Sequence, residues 1–258
     1  MKDHMNLQKD LWDDSHRSWP LPNFPWTMRQ TWSDLLFAHY PISLEILRKL
    51  VPDALPLDSH NGMGWIGVVP FRMSGVRLRG LPPIPGTDRF PELNVRTYVK
   101  LDDKPGVYFF SLEASNLLAV MGAKTTYHLP YWYADMTMKQ DGVVTNFESK
   151  RRKDNEVRLA CRYRPISDPF HAVEGSFEEW MVERYCFYTL NNKGVPLRCD
   201  ILHEPWLLQH AEAEFSQNTI LSKQGIKVES DQPILHFSKK LEIRAWPLVH
   251  HQTNRLSW

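Results

Sequence analysis

From Leu93 the chain alternates: Leu93, Val95, Thr97, Val99 and Leu101 share one face of an extended backbone, while Asn94, Arg96, Tyr98 and Lys100 share the other. A period of two predicts a strand with one face in a core and one polar face. Asp102-Asp103-Lys104-Pro105-Gly106 then predicts a hairpin onto residues 107–113. Upstream, Leu44, Leu47, Leu50 and Val51 repeat at helical spacing behind Ser43, a good N-cap, and Pro52 ends the pattern. Asn61-Gly62 is a turn signal, and the apolar run over residues 65–71 reads as a buried strand.

Downstream, residues 115–121 look helical, with Gly122 as the stop, and strands are expected near 124–127 and 131–139 on either side of Pro130. Further strands are expected near 156–164, 181–188 and 195–202, the last two joined by Asn191-Asn192-Lys193-Gly194. Successive hairpins imply a mostly antiparallel sheet. With few helices to cover it, such a sheet has to curl or close to bury its apolar face and remove its edges. The expected class is α+β. The expected organisation is a Trp/Pro-rich arm over residues 1–25, with Trp12 and Trp19 as apolar anchors and Trp26 at its end, followed by a single domain over 26–258.

Composition narrows the function. Thirty-one basic against 30 acidic residues give a net charge of +1, which provides no field for a polyanion, so no nucleic-acid partner is expected. Lys150-Arg151-Arg152-Lys153, followed by Arg158, Arg162 and Arg164, reads as a solvated loop and outer sheet face. Three cysteines cannot all pair within one chain, and the first residues lack the apolar stretch of a secretory signal, so a reducing cytoplasm is the expected location. No apolar window reaches membrane-spanning length, and no membrane partner is expected.

The chain has no Gly-rich phosphate loop, zincin helix, Cys-x-x-Cys pair or nucleophile elbow, so no cofactor or metal is implied. The densest chemistry lies between Asn94 and Tyr133. Asn94, Arg96 and Tyr98 are on one strand face, Glu113 is at the end of the next strand, and Tyr127, His128, Tyr131 and Tyr133 surround Pro130. If the sheet curls with that face inward, these groups converge on a cavity; the alternative is the wet face of a half-exposed strand.

The ordered segments Trp65-Ile66-Gly67-Val68-Val69-Pro70-Phe71-Arg72, Pro91-Glu92-Leu93-Asn94-Val95-Arg96-Thr97-Tyr98, Phe109-Phe110-Ser111-Leu112 and His128-Leu129-Pro130-Tyr131 resemble the YqjF-like family of bacterial proteins of unknown function, over about residues 26–215. Leu47-Arg48-Lys49-Leu50-Val51-Pro52-Asp53-Ala54-Leu55-Pro56-Leu57-Asp58 adds a distant likeness to acetoacetate decarboxylase. That resemblance implies a cone or barrel of mostly antiparallel strands enclosing a pocket for small keto acids, a few flanking helices, and assembly as a homo-oligomer. It also implies a proline followed by two lysines, the first forming a Schiff base with substrate while the second depresses its pKa. Here Pro130 is followed by Tyr131 and Trp132, which can do neither.

Acetoacetate decarboxylation is therefore not expected. Lys124 is the nearest substitute amine, and Arg29 stands upstream of the Leu47 helix much as the decarboxylase's pocket arginine does. The expectation is a pocket for a small anionic or carbonyl-bearing metabolite. Arg29, Asn94, Arg96, Tyr98 and Tyr127 would bind it, and Tyr131, Glu113 and His128 would be the acid/base candidates. Lysine-independent chemistry on a carbonyl or enol and a purely structural role are the alternatives.

Overall fold

In a computed structural model, which describes residues 13–250, the chain runs through β1 (Met28–Ile42), α1 (Leu44–Leu50), β2 (Gly64–Leu78), β3 (Arg89–Leu101), β4 (Lys104–Ala114), α2 (Leu117–Tyr127), β5 (Tyr131–Asp141) and β6 (Val144–Arg151). It continues through β7 (Arg158–Pro165), β8 (Phe170–His171), α3 (Phe177–Val182), β9 (Cys186–Leu190), β10 (Pro196–Leu202), β11 (Leu207–Asn218), β12 (Ile234–Ala245) and β13 (Val249–His250).

The pairing order closes two rings. Strands β12, β1, β2, β3, β4, β5, β6, β7 and β11 return to β12 as a nine-stranded barrel. A second path leaves β4 through β9 and β10 and also returns to β12. Strands β12, β1, β2, β3 and β4 are thus a wall common to both rings, and closure leaves them no free edge. All pairings are antiparallel except β4 with β5 and β4 with β9.

Alternation along the common wall supplies two interiors. Leu36, Ala38, Val68, Leu93 and Val95 pack with Phe147, Leu159 and Tyr163 inside the nine-stranded ring. Phe37, Val69, Phe71, Phe109 and Leu112 face the other way, toward Ile201, Trp206, Val120 of α2 and Met181 of α3. The β3 alternation and its hairpin, the α1 helix with Ser43 as N-cap, and the Asn191–Gly194 turn all match the sequence pattern. The described part of the arm docks on the body: Trp19 is buried, and its Nε1 donates to Asp200 Oδ1 at 2.8 Å. Trp12 lies outside the described residues.

Three local readings change. Residues 124–127, read as a strand, are the last turn of α2, which runs through Gly122. Thr125 and Thr126 satisfy their hydroxyls on the carbonyls of Met121 and Gly122, at 3.0 and 2.7 Å, so they stay helical despite β-branching. Residues 181–188 are not one strand. Ser176 Oγ accepts from the Glu179 amide at 3.1 Å and starts α3, and β9 begins only at Cys186. Arg151, read as part of a solvated run, is buried. All three cysteines are free and buried, and no helix among the described residues is long and apolar enough to cross a membrane.

Candidate functional site

On the second face of the common wall lies a cavity of about 90 Å³, several times the space one water needs. Period two places Met28, Gln30 and Trp32 of β1 on its wall, and likewise Glu92, Asn94 and Arg96 of β3. Phe109 and Leu112 of β4, Ala123 and Tyr127 of α2, and Tyr131 continue the lining. Val182 at the end of α3, Arg184 just after it, Phe187 of β9, Ile201 and His203 near the end of β10, and Trp206 close it.

Tyr131 enters because it pairs with Leu112 across the parallel β4–β5 junction, and paired residues share a face. Its hydroxyl donates to Glu92 Oε1 at 2.9 Å. Burial pushes the Glu92 carboxyl up to about 8, against the lowering effect of the Tyr131 hydrogen bond. Burial, with Glu92 beside it, likewise holds the Tyr131 phenol well above its usual range.

Arg96 is 7% exposed and has no carboxylate partner among the described residues. Its Nη2 donates to Tyr98 Oη and to the Met181 carbonyl, both at a long 3.4 Å, while Nε has no partner. Arg184 is ion-paired with Asp58 and lies over the rings of Tyr98 and Trp180, yet its Nη2 is unpartnered. Burial lowers the Arg184 pKa, opposed by Asp58. His203 places Nδ1 2.8 Å from the Glu204 carbonyl, and burial pushes its pKa to about 4, so it is neutral at physiological pH. The indole nitrogens of Trp32 and Trp206 and the Asn94 Oδ1 also lack hydrogen-bond partners among the described residues. The residues that line the cavity therefore include two guanidinium groups and several side chains whose buried donors lack partners among the described residues.

Of the residues singled out in the sequence, Asn94, Arg96, Tyr127 and Tyr131 meet at the cavity. Tyr127 is 3.3 Å from Thr27 Oγ1, and burial raises its phenol to about 12. Tyr98 does not line the cavity; fully buried behind Arg96, it hydrogen-bonds His39. Glu113 is not in the cavity either. It pairs in register with Leu93 and Trp132, which puts its side chain on the opposite face of the wall, ion-paired with Arg151 and 3.3 Å from Ser111 Oγ.

His128 is the left-handed C-cap of α2, with an exposed side chain and a carbonyl that accepts from Thr189 Oγ1 at 2.8 Å. Arg29 alternates with Met28 and Gln30, faces away, and pairs with Glu242. Lys124 is exposed, its Nζ 5.4 Å over the Trp132 ring, and no lysine is among the residues that line the cavity.

Sequence reasoning missed Glu92, Trp32, Arg184, His203 and Trp206. Glu92 carried a usable signal, since it has the same parity as Asn94 and Arg96. Arg184, His203 and Trp206 arrive from distant segments and carried none. Among the described residues, no group of three or more His, Cys, Asp or Glu side chains is arranged to hold a metal ion.

The chain is 50% identical over 228 residues to the uncharacterised protein YqjF of Bacillus subtilis, covering 88% of this chain and 94% of that protein. Among solved structures, the enduracididine biosynthesis enzyme MppR complexed with pyruvate superposes with a TM-score of 0.59 at 8% identity, covering 92% of this chain and 94% of the other. An acetoacetate decarboxylase-like enzyme from Sphingomonas wittichii gives 0.59 at 10% identity, covering 89% and 94%. The barrel is thus of the acetoacetate decarboxylase-like fold. Residues 29–242 match the DUF2071 family of uncharacterised conserved proteins, and with the close likeness to YqjF this chain belongs to that family.

Proposed function

We propose that the cavity receives a small carboxylate, carbonyl-bearing where a reaction follows, with Arg96 as its counter-ion. The observation that carries this reading is the buried Arg96 guanidinium, which lines the cavity with no ion-pair partner among the described residues, the carboxyl of the same lining, Glu92, being engaged by Tyr131. A desolvated charge is costly unless paired, and a planar guanidinium suits a carboxylate. The unpartnered donors of Arg184, Trp32 and Trp206 add polar contacts, and Phe109, Leu112, Phe187 and Ile201 offer an apolar wall to the rest of the molecule.

A proton-transfer enzyme is the reading favoured by Glu92. With its pKa near 8 the carboxyl is mostly protonated at neutral pH. Tyr131 donates to Oε1, which leaves the carboxyl proton on Oε2 for a ligand carbonyl or enol oxygen. A lysine-free lining supports chemistry that does not pass through an imine.

Calorimetric titration with pyruvate as probe tests the binding step. Arg96→Gln should weaken it by at least about tenfold, as expected for a lost charge-assisted hydrogen bond. Unchanged affinity would refute the counter-ion role. In a panel of keto acids and aldehydes, Glu92→Gln should abolish turnover and Tyr131→Phe should reduce it. Borohydride treatment with pyruvate should leave the protein unmodified, and an adduct at Lys124 would overturn the lysine-free route.

A further inference from the structure

Resting on that reading, we propose that Gly67 opens a trough across β2 in which His39, through Tyr98, seats the Arg96 guanidinium, making these three positioning residues for the anion. His39 of β1, Gly67 of β2 and Arg96 of β3 are register partners in one row and face the same side. Side chains on β1 and β3 start about 9.5 Å apart, two strand spacings, and meet only where the strand between leaves room.

Gly67 leaves that room. A methyl group there would lie 3.3 Å from His39 Nε2 and from Arg96 Cγ, tight enough that one of these side chains has to give by a few tenths of an ångström, and 3.4 Å from Arg96 Nε, at the edge of ordinary contact. Its φ is not positive, so the backbone at this position does not demand glycine. The close approach of His39 and Arg96 is what a larger side chain would disturb.

Across the trough runs a directed chain of hydrogen bonds. Arg96 has only donors, so its Nη2–H takes a lone pair of Tyr98 Oη, and the seat assigns the Tyr98 proton to His39 Nε2, leaving Nδ1 without a partner among the described residues. That orientation requires a neutral His39 with its proton on Nδ1. Complete burial, beside the positive charges of Arg96 and Arg184, keeps the imidazole neutral. Rings fix the chain from the sides: Tyr98 packs 4.5 Å from Trp180, and His39 meets Phe177 edge-on at 5.8 Å. With Nη2 held and Nε enclosed over Gly67, Nη1, which makes no hydrogen bond to the described residues, is the donor turned to a bound anion.

The test compares affinity for pyruvate with that for uncharged pyruvamide, because a merely structural defect lowers both together. In the wild type pyruvate should bind more tightly. Gly67→Ala and Tyr98→Phe should each cut that preference roughly tenfold, the size of one hydrogen bond to a charged group, with pyruvamide binding within about twofold of wild type. In an Arg96→Gln background neither should change the preference further.

If Arg96→Gln removes the preference while Gly67→Ala and Tyr98→Phe keep it, the seat is overturned and the anion site stands. If Arg96→Gln keeps it, or the wild type has none, the anion reading falls and the seat with it. Should Gly67→Ala fail to fold, Tyr98→Phe decides alone.

Discussion

Glu113 and Glu92 are carboxyls buried on opposite faces of the β3–β4 pair, and the protein treats them differently. Glu113 faces the nine-stranded interior, where Arg151 neutralises it and Ser111 donates to it. Glu92 faces the cavity, where its partner is a neutral phenol, while the nearby Arg96 has no carboxylate. The first face pairs its charges within the chain, although Arg151 Nε is left without a partner among the described residues. The second leaves a guanidinium without an ion pair among the described residues, which is what the proposed anion would supply.

The sharpest way to break this comparison is to remove each arginine. Arg151→Leu strands an uncompensated buried carboxylate and should lower stability by about 3–5 kcal/mol in urea unfolding. Arg96→Leu removes a charge that the fold does not neutralise and should change stability by no more than about 1 kcal/mol. Equal losses would make Arg96 a structural residue.

A smaller effect concerns pH. The Glu92 pKa rises on folding from its ordinary 4.5 to about 8. Between those values the native state holds a proton that the unfolded chain has released, so its contribution to stability declines as pH rises through that window. Glu92→Gln should flatten the dependence of unfolding free energy on pH between 5 and 8 by close to one proton. An unaltered slope would place the Glu92 pKa in the ordinary carboxylate range.

The smallest effect belongs to His128, whose φ of +51° suits glycine. His128→Gly should raise stability by roughly 0.5–1 kcal/mol and leave pyruvate affinity unchanged. A loss of affinity would return His128 to the site.

Where period two decides a face, the sequence was readable. The β3 alternation separates core residues from Asn94 and Arg96, and carried two positions upstream it reaches Glu92. Glu113 was misjudged because its face depends on register with Leu93, and a bulge between Val95 and Arg96 shifts the β3–β4 pairing. Nothing local to β4 announces that shift. Arg184 and Trp206 meet the cavity only because β9 and β10 close the second ring, a long-range event with no local pattern. At α2, Thr125 and Thr126 carried the strand propensity that misled, and their hydroxyl bonds to the preceding turn are visible only in the folded chain.

The wall common to both rings bears on how such proteins diversify. Along β3, odd-numbered residues from Leu93 to Val99 build one interior and even-numbered residues from Glu92 to Tyr98 belong to the cavity and its support. On the proposed reading, a codon change at an even position would alter what the cavity takes while the barrel core keeps its packing. The two requirements are inherited in alternate letters of one strand, so selection could revise the cavity lining without first surrendering the fold.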